Sequence, residues 1–158
     1  MGGGQTKAAA PAAKAPKAAK AASGKGKDRR KLLEEHLAAG HVKEVKEMLL
    51  KAPELLDESL DDHDSKPLQV ACKNGHYEVA DALLKLGANR DARDKSGATA
   101  LMYAAGAGSE KICKLILDAG ANIKIVDNDQ NNALWYAQHN NKDKVEQLLQ
   151  MYACEYTW

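Results

Sequence analysis

The sequence DKSGATALMYAAGAGSEKICKLILDAGAN, residues 94–122, contains the defining segments of the unit from which most of this chain is built. It begins with a turn-forming segment, continues through two apolar segments, and ends in Gly-Ala-Asn, whose glycine can adopt the left-handed conformation that ends helices. Thr99 stands where an N-cap hydroxyl would satisfy free amides at the start of a helix. Ile112, Leu115 and Ile116 have the spacing that places side chains on one helical face. The stretch predicts two short helices joined by a tight turn.

The unit recurs along the chain at a nearly constant period. Its second helix begins after Gly40, Gly75, Gly108 and Asn141, whose sequence numbers differ by 35, 33 and 33. The start of its first helix recurs at the same spacing as KPLQVA (66–71), TALMYA (99–104) and NALWYA (132–137). Each apolar stripe needs a neighbouring unit to cover it, so the units are expected to stack on one another. Stacking should bury Leu84 and Ile116 between repeats.

A 33-residue period with these motifs resembles the ankyrin repeat. The segment DKSGATAL (94–101) is similar to that family's finger and first-helix sequence D-x-x-G-x-T-P-L. The resemblance covers about residues 31–155 and implies an all-α solenoid of stacked antiparallel helix pairs. Short β-turn fingers are expected near residues 61–66, 94–99 and 127–132.

The repeats outside 94–101 depart from the family pattern at the fingers and first helices. Asp64 and Gln130 replace the finger glycine, Lys66 and Asn132 replace the capping threonine, and Gln69, Met102 and Trp135 occupy the position that is usually histidine. These departures concern the geometry and local stability of the fingers rather than the fold.

We predict two segments with opposite charge. Residues 1–30 are expected to be a disordered Ala/Lys/Pro-rich tail, because Gly2 to Arg30 contains no Val, Ile, Leu or aromatic residue to bury. Residues 31–158 are expected to form the ankyrin-repeat domain, with repeats at about 31–60, 61–93, 94–126 and 127–158 and with the first and last acting as caps. Residues 1–31 hold nine basic residues and one acidic residue, leaving 14 basic and 21 acidic residues in the remainder.

The ankyrin resemblance implies a protein-binding surface made by the fingers and the first helix of each pair, which is concave in that family. We call it the finger surface. The residues expected to be exposed on it are Asp62, His63, Ser65, Lys73, Asn74, Lys95, Ser96, Ala98, Gly106, Ala107, Asn128, Asp129, Asn131, His139 and Asn140. For each residue taken alone, a solvated loop position is an equally good interpretation.

Two other patterns have simple structural explanations. DNDQNN (127–132) is similar to the start of a calcium loop, but Asn132 replaces its sixth-position glycine and Gln138 its final glutamate. The acidic residues between Glu54 and Asp64 could meet a basic partner or the tail, although a solvated loop explains them as well.

No catalytic constellation is evident in the sequence, and we expect no enzyme activity, cofactor or metal. Cys72, Cys113 and Cys154 are widely spaced and are interpreted as reduced structural thiols. With no apolar run of membrane-spanning length, the expected location is cytoplasmic, and the expected state is a monomer.

The amino terminus suggests two ways in which the tail could set location. Met1 to Thr6 fits the pattern M-G-x-x-x-[ST], which makes Gly2 a candidate for myristoylation. The lysines that follow could add electrostatic attraction to an anionic membrane. The alternative is a nucleic-acid or ribonucleoprotein-associated role, in which the same lysines neutralise phosphates. The leading hypothesis is an adaptor that binds a protein partner through the finger surface.

Overall fold

The computed structural model describes residues 25–155, which form eight α-helices and no β-strand. The helices are α1 (Lys25–Ala39), α2 (Val42–Lys51), α3 (Pro67–Lys73), α4 (Tyr77–Lys85), α5 (Ala100–Ala107), α6 (Glu110–Asp118), α7 (Ala133–His139) and α8 (Asp143–Glu155). A short 3-10 helix, Pro53–Leu56, follows α2. Consecutive helices pack as four pairs, and the pairs stack into the all-α ankyrin solenoid that the sequence predicts.

The stacking follows two layers. Helices α1, α3, α5 and α7, the first of each pair, contact one another in sequence order, and α2, α4, α6 and α8 do the same. Small side chains allow this close approach in the first layer: Ala71, Ala104 and Ala137 occupy the same position of successive repeats and are 0% exposed. Leu83 and Ile116 are equally buried in the second layer. Leu84, predicted to be buried, is only half-buried, so the prediction was wrong for that residue.

The boundary of the first helix differs from the sequence-based prediction. Residues 25–30, assigned to the disordered tail, form the first two turns of α1. The Arg30 guanidinium pairs with the Glu58 carboxylate in the connection after α2, and this ion pair ties the start of α1 to the folded repeats. Residues 1–24, including Gly2, lie outside the described part of the chain, as do Tyr156 and Trp158.

The three fingers keep one backbone geometry despite their different sequences. Gly97 has a positive φ of 78°, and the residues that replace it, Asp64 and Gln130, have φ values of 63° and 65°. Glycine is needed most at residue 97, because a Cβ there would lie 2.6 Å from Arg93 Nη2 and 3.0 Å from the backbone nitrogen of Asn128. The departures from the family pattern therefore leave two non-glycine residues in the left-handed region.

Gln130→Gly is expected to raise the free energy of unfolding by about 0.5–1 kcal/mol. A left-handed conformation costs a non-glycine residue about 1–2 kcal/mol, and the greater freedom of glycine in the unfolded chain cancels part of the gain. Urea denaturation of the full chain measures the change. Gln130→Ala is the matched control, since it retains a Cβ and should gain nothing. Equal stability of the glycine and alanine variants would contradict this explanation.

No helix between residues 25 and 155 is both long and apolar enough to cross a membrane.

Candidate functional site

Most of the residues predicted for the finger surface are accessible. Eleven are exposed, namely Asp62, His63, Lys73, Asn74, Lys95, Ser96, Ala107, Asn128, Asp129, His139 and Asn140; Ser65, Gly106 and Asn131 are half-buried. Ala98 was predicted to be exposed and is instead 1% exposed. Its N–H donates to Asp94 Oδ1 at 3.0 Å, and its carbonyl accepts a hydrogen bond from Gln69 Nε2 at 2.9 Å. Ala98 therefore belongs to the interface between the second and third repeats.

An aspartate organises each finger from within. Its Oδ1 accepts hydrogen bonds from the backbone N–H groups two and four residues later, at 2.9–3.0 Å. The three aspartates are Asp61, Asp94 and Asp127, one in each of three successive repeats. This bonding explains why residues 127–132 are similar to a calcium loop, since the first carboxylate of that pattern holds the turn of the finger.

Tyrosines of the first helices bind the same carboxylates in the last two repeats. Tyr103 OH donates to Asp94 Oδ2, and Tyr136 OH donates to Asp127 Oδ2 at 2.7 Å. Burial, followed by the bond to Asp94, raises the pKa of Tyr103 to about 12. Burial alone would raise the pKa of Asp127, but the hydrogen bonds from Tyr136 and the backbone outweigh it, and the pKa is lowered. Each of these two fingers is therefore held against its first helix by a bond between a tyrosine hydroxyl and an aspartate carboxylate.

Neighbouring fingers are joined by backbone hydrogen bonds. The N–H of Lys95 donates to the carbonyl of His63 at 3.0 Å, and the N–H of Asn128 donates to the carbonyl of Ser96 at 2.9 Å. Asn128 Nδ2 also donates to the carbonyl of Lys95 at 2.8 Å, while Lys95 Nζ donates to the carbonyl of Asp62. Lys95 and Asn128 therefore connect fingers, so substituting either would disturb the fold as well as any contact.

An aromatic patch lies at the last repeat. Trp135 is 39% exposed and stacks on His139, with 4.6 Å between ring centroids and an interplanar angle of 10°. Tyr136 meets Trp135 edge-on at 5.3 Å. Sequence reasoning selected His139 but not Trp135. The available signal was the tryptophan at a position where the ankyrin pattern usually has histidine.

Two ankyrin-repeat family models match the chain. A model of three copies matches residues 85–157, and a model of many copies matches residues 49–104, so that together they extend from residue 49 to residue 157. The chain belongs to the ankyrin-repeat family. Ankyrin repeats are protein–protein interaction modules and typically carry no enzymatic activity of their own. A 43-residue segment is 49% identical to an ankyrin repeat and KH domain-containing protein of Caenorhabditis briggsae; it makes up 27% of this chain and 2% of that protein.

The histidine position of the ankyrin pattern has a different use in each repeat of this chain. Gln69 is buried, and its Nε2 donates to the carbonyl of Ala92 in its own repeat at 3.0 Å and to the carbonyl of Ala98 in the next repeat at 2.9 Å. Met102 is buried, whereas Trp135 is exposed. The same ankyrin position therefore bridges repeats in Gln69, fills the core in Met102, and is exposed beside His139 in Trp135.

The acidic run after the first ankyrin repeat is largely bonded within the chain. Asp57 Oδ1 accepts a hydrogen bond from the N–H of Asn89 at 2.9 Å, and Glu58 pairs with Arg30. Asp64 Oδ1 lies 2.6 Å from Lys66 Nζ. Asp61 holds its finger, as described above. Most of these carboxylates therefore have structural bonds, and Glu54 and Asp62 are the exposed members of the run whose side chains could still meet a partner.

The buried thiols are poor candidates for nucleophiles. Burial raises the pKa of Cys113 to about 12 and raises that of Cys72 as well, so both thiols remain protonated at neutral pH. Within residues 25–155, no group of three or more His, Cys, Asp or Glu side chains is arranged to hold a metal ion.

Proposed function

We propose that this ankyrin-repeat protein is a non-enzymatic adaptor, which binds a protein partner through the finger surface while its basic amino-terminal tail sets the location of the complex. The proposal rests on one contrast between the scaffold and the surface. Scaffold positions repeat, as Ala71, Ala104 and Ala137 do, all fully buried. Surface positions at the same period differ, which is the pattern of a shared scaffold with variable contact residues.

The variable positions provide different chemistry along the finger surface. One set, at the same position of successive repeats, is Lys73, Gly106 and His139. Lys73 Nζ lies 5.9 Å from the centroid of the Tyr103 ring. Gly106, in the third repeat, presents no side chain at this position. The last repeat adds the stack of Trp135 on His139. Large aromatic side chains often contribute most of the binding energy at protein interfaces. We therefore propose that Trp135 makes the main contact with the protein partner.

Lys73→Glu is expected to weaken partner binding by about 5–10-fold, and Trp135→Ala by about 10–30-fold. Lys73 is exposed on the finger surface, and Trp135 is exposed beside His139 of that surface. Losses of about 1–2 kcal/mol are typical of charged and aromatic contact residues. The measurement is affinity capture from the native cell with the full chain, followed by titration of the captured protein.

The matched control is Lys114→Glu, an exposed charge reversal on α6, outside the finger surface. It should leave capture unchanged, and circular dichroism should show equal helicity for all three variants. Loss of capture with Lys114→Glu but not with the finger-surface variants would reject the finger surface as the binding site.

The tail is proposed to act through location alone. Gly2 would carry the acyl chain, and the lysines between it and α1 would contact an anionic leaflet, because a single acyl chain anchors only marginally without a second signal. A lysine-rich segment offers charge but little shape, so partner choice would remain with the repeats. This arrangement supports a cytoplasmic location from which the protein is recruited to membranes.

A nucleic-acid role is the second candidate, because the same tail charge would also bind phosphates. Two measurements on the full chain distinguish them: the mass of the amino-terminal peptide from native cells, and salt-dependent binding to anionic vesicles and to RNA. An acylated Gly2, with a Gly2→Ala variant released from membranes and unchanged in partner affinity, supports the adaptor. An unmodified Gly2, with RNA co-purification that disappears when residues 1–24 are removed, supports the alternative.

A further inference from the structure

At the finger surface, a lysine of the second repeat lies over a tyrosine of the third. Lys73 Nζ is 5.9 Å from the centroid of the Tyr103 ring. The hydroxyl of the same tyrosine donates to Asp94 Oδ2. An ammonium group is attracted to the face of an aromatic ring, and a carboxylate bonded to the phenol makes the local potential more negative. The chain therefore contains its own example of a basic side chain held over a tyrosine–aspartate pair.

The same tyrosine–aspartate pair recurs one repeat later without the lysine. Tyr136 follows Tyr103 by 33 residues, and its hydroxyl donates to Asp127 Oδ2 at 2.7 Å. The residue that follows Lys73 by the same 33 residues is Gly106, which has no side chain to place over the ring. The third and fourth repeats thus reproduce the arrangement of the second and third in all but its cation.

A side chain at residue 106 would point towards the Tyr136 ring. A Cβ there would lie 3.6 Å from Tyr136 Cδ1 and 3.5 Å from Asn140 Nδ2. Apart from its chain neighbours and the backbone of α5, no other heavy atom of the described residues would lie within 4 Å of it. Gly106 and Tyr136 are both half-buried, so this space reaches solvent. Trp135 borders the site, with 5.3 Å between its ring centroid and that of Tyr136.

We propose that the Tyr136 ring binds a basic side chain, lysine or arginine, which the protein partner supplies in the place that Lys73 occupies over Tyr103. This inference rests on the proposed function, because it names the chemistry of the partner at the same surface. Residues 32–158, with 14 basic and 21 acidic residues, favour a basic partner, since opposite charge speeds association. The aliphatic stem of a lysine or arginine can also pack on the exposed face of Trp135.

Peptide selection tests the chemistry of the partner. The probe is a library of short random peptides displayed on phage and selected on the immobilised full chain, from which peptides that also bind Trp135→Ala are discarded. We expect the retained peptides to carry lysine or arginine at one fixed position. Replacing that residue by norleucine keeps an aliphatic stem without the charge. It should weaken binding to the wild type by about 2–5-fold, the effect of one exposed cation–π contact.

Gly106→Lys tests the place of the contact. Its ammonium group would lie over Tyr136 as that of Lys73 lies over Tyr103, so this variant should bind the basic peptide and its norleucine form equally. Gly106→Ala is the comparison, because alanine and lysine both favour helix and a methyl group leaves the ring uncovered; it should keep most of the preference for the basic peptide. Gln147→Lys adds the same charge at an exposed position of α8, outside the finger surface, and should not change that preference.

The outcomes distinguish this inference from the proposed function. Retained peptides without a basic residue would overturn the inference. A norleucine effect of equal size in Gly106→Lys and the wild type would also overturn it, because the charge would then act through long-range attraction to the acidic repeats. In both cases, peptides that depend on Trp135 would still support partner binding at that residue. A selection that yields no Trp135-dependent peptide would contradict the proposed binding surface itself, and the inference would fail with it.

Discussion

Ile116→Ala is expected to lower the free energy of unfolding by about 3–4 kcal/mol. Ile116 is 0% exposed in α6, and α6 packs between α4 and α8. Truncation removes apolar contacts and leaves a cavity that helices held on both sides cannot close, and such substitutions cost about 2–5 kcal/mol. Urea denaturation followed by circular dichroism measures the loss.

Leu84→Ala is the matched comparison, because sequence spacing predicts burial for both residues. Leu84 is half-buried, whereas its neighbour Leu83 is 0% exposed. A half-buried leucine loses less transfer free energy, and solvent or adjacent side chains fill the space, so we expect about half the loss of Ile116→Ala. Equal losses of free energy for Ile116→Ala and Leu84→Ala would mean that the two side chains are packed alike, and would contradict the difference in their burial.

The sequence predicts the fold because the signals that define it are local and repeated. The periodic recurrence of the first-helix start sets the number of repeats from the second onward, and apolar spacing identifies the second helices. Spacing cannot decide which of two adjacent leucines faces the neighbouring repeat, because both lie within one broad apolar stripe. That choice depends on the rotation of α4 against its neighbours, and Leu83 rather than Leu84 points inward.

The start of α1 is a second case in which tertiary structure prevails over composition. Residues 25–30 contain no Val, Ile, Leu or aromatic side chain to bury, and composition therefore predicts that they belong to the tail. Their helical conformation is supported by charge instead, since Arg30 pairs with Glu58, which is 28 residues away in the sequence. A contact at that separation has no local signal in the sequence. Glu58, a member of the acidic run, therefore already has a basic partner within the chain.

The sequence predicts which positions of the candidate site are exposed, but it does not predict the hydrogen bonds that connect them. Eleven of fifteen positions are exposed as expected, because exposure follows from the repeat register. The register says nothing about individual bonds, and so it missed the role of Lys95 in joining fingers and the burial of Ala98. The finger aspartates did carry a signal, their recurrence at one position of three successive repeats. That recurrence marks them as part of the scaffold, which leaves the side chains beside them to vary with the partner.

Asp94→Ala is expected to lower the free energy of unfolding by about 3 kcal/mol, although only one small side chain is removed. Asp94 is nearly buried, and its carboxylate accepts hydrogen bonds from the N–H of Ser96 at 2.9 Å, the N–H of Ala98 at 3.0 Å and the hydroxyl groups of Ser96 and Tyr103. Ser96 is exposed, so water can replace the carboxylate there. Ala98 is buried, and each buried donor left without an acceptor costs about 1–3 kcal/mol.

Two variants separate these contributions. Tyr103→Phe removes a single hydrogen bond and should cost about 1 kcal/mol, while Asp94→Asn keeps an oxygen that accepts from the backbone of the finger and should fall between the other two. In the double variant Asp94→Ala/Tyr103→Phe, the losses should be less than additive, because both substitutions remove the same bond. Chemical denaturation of the wild type, Asp94→Ala, Tyr103→Phe and the double variant gives the coupling free energy. Strict additivity would show that the Tyr103 hydroxyl and the Asp94 carboxylate stabilise the finger independently, and the account of a first helix held to its finger through that bond would fail.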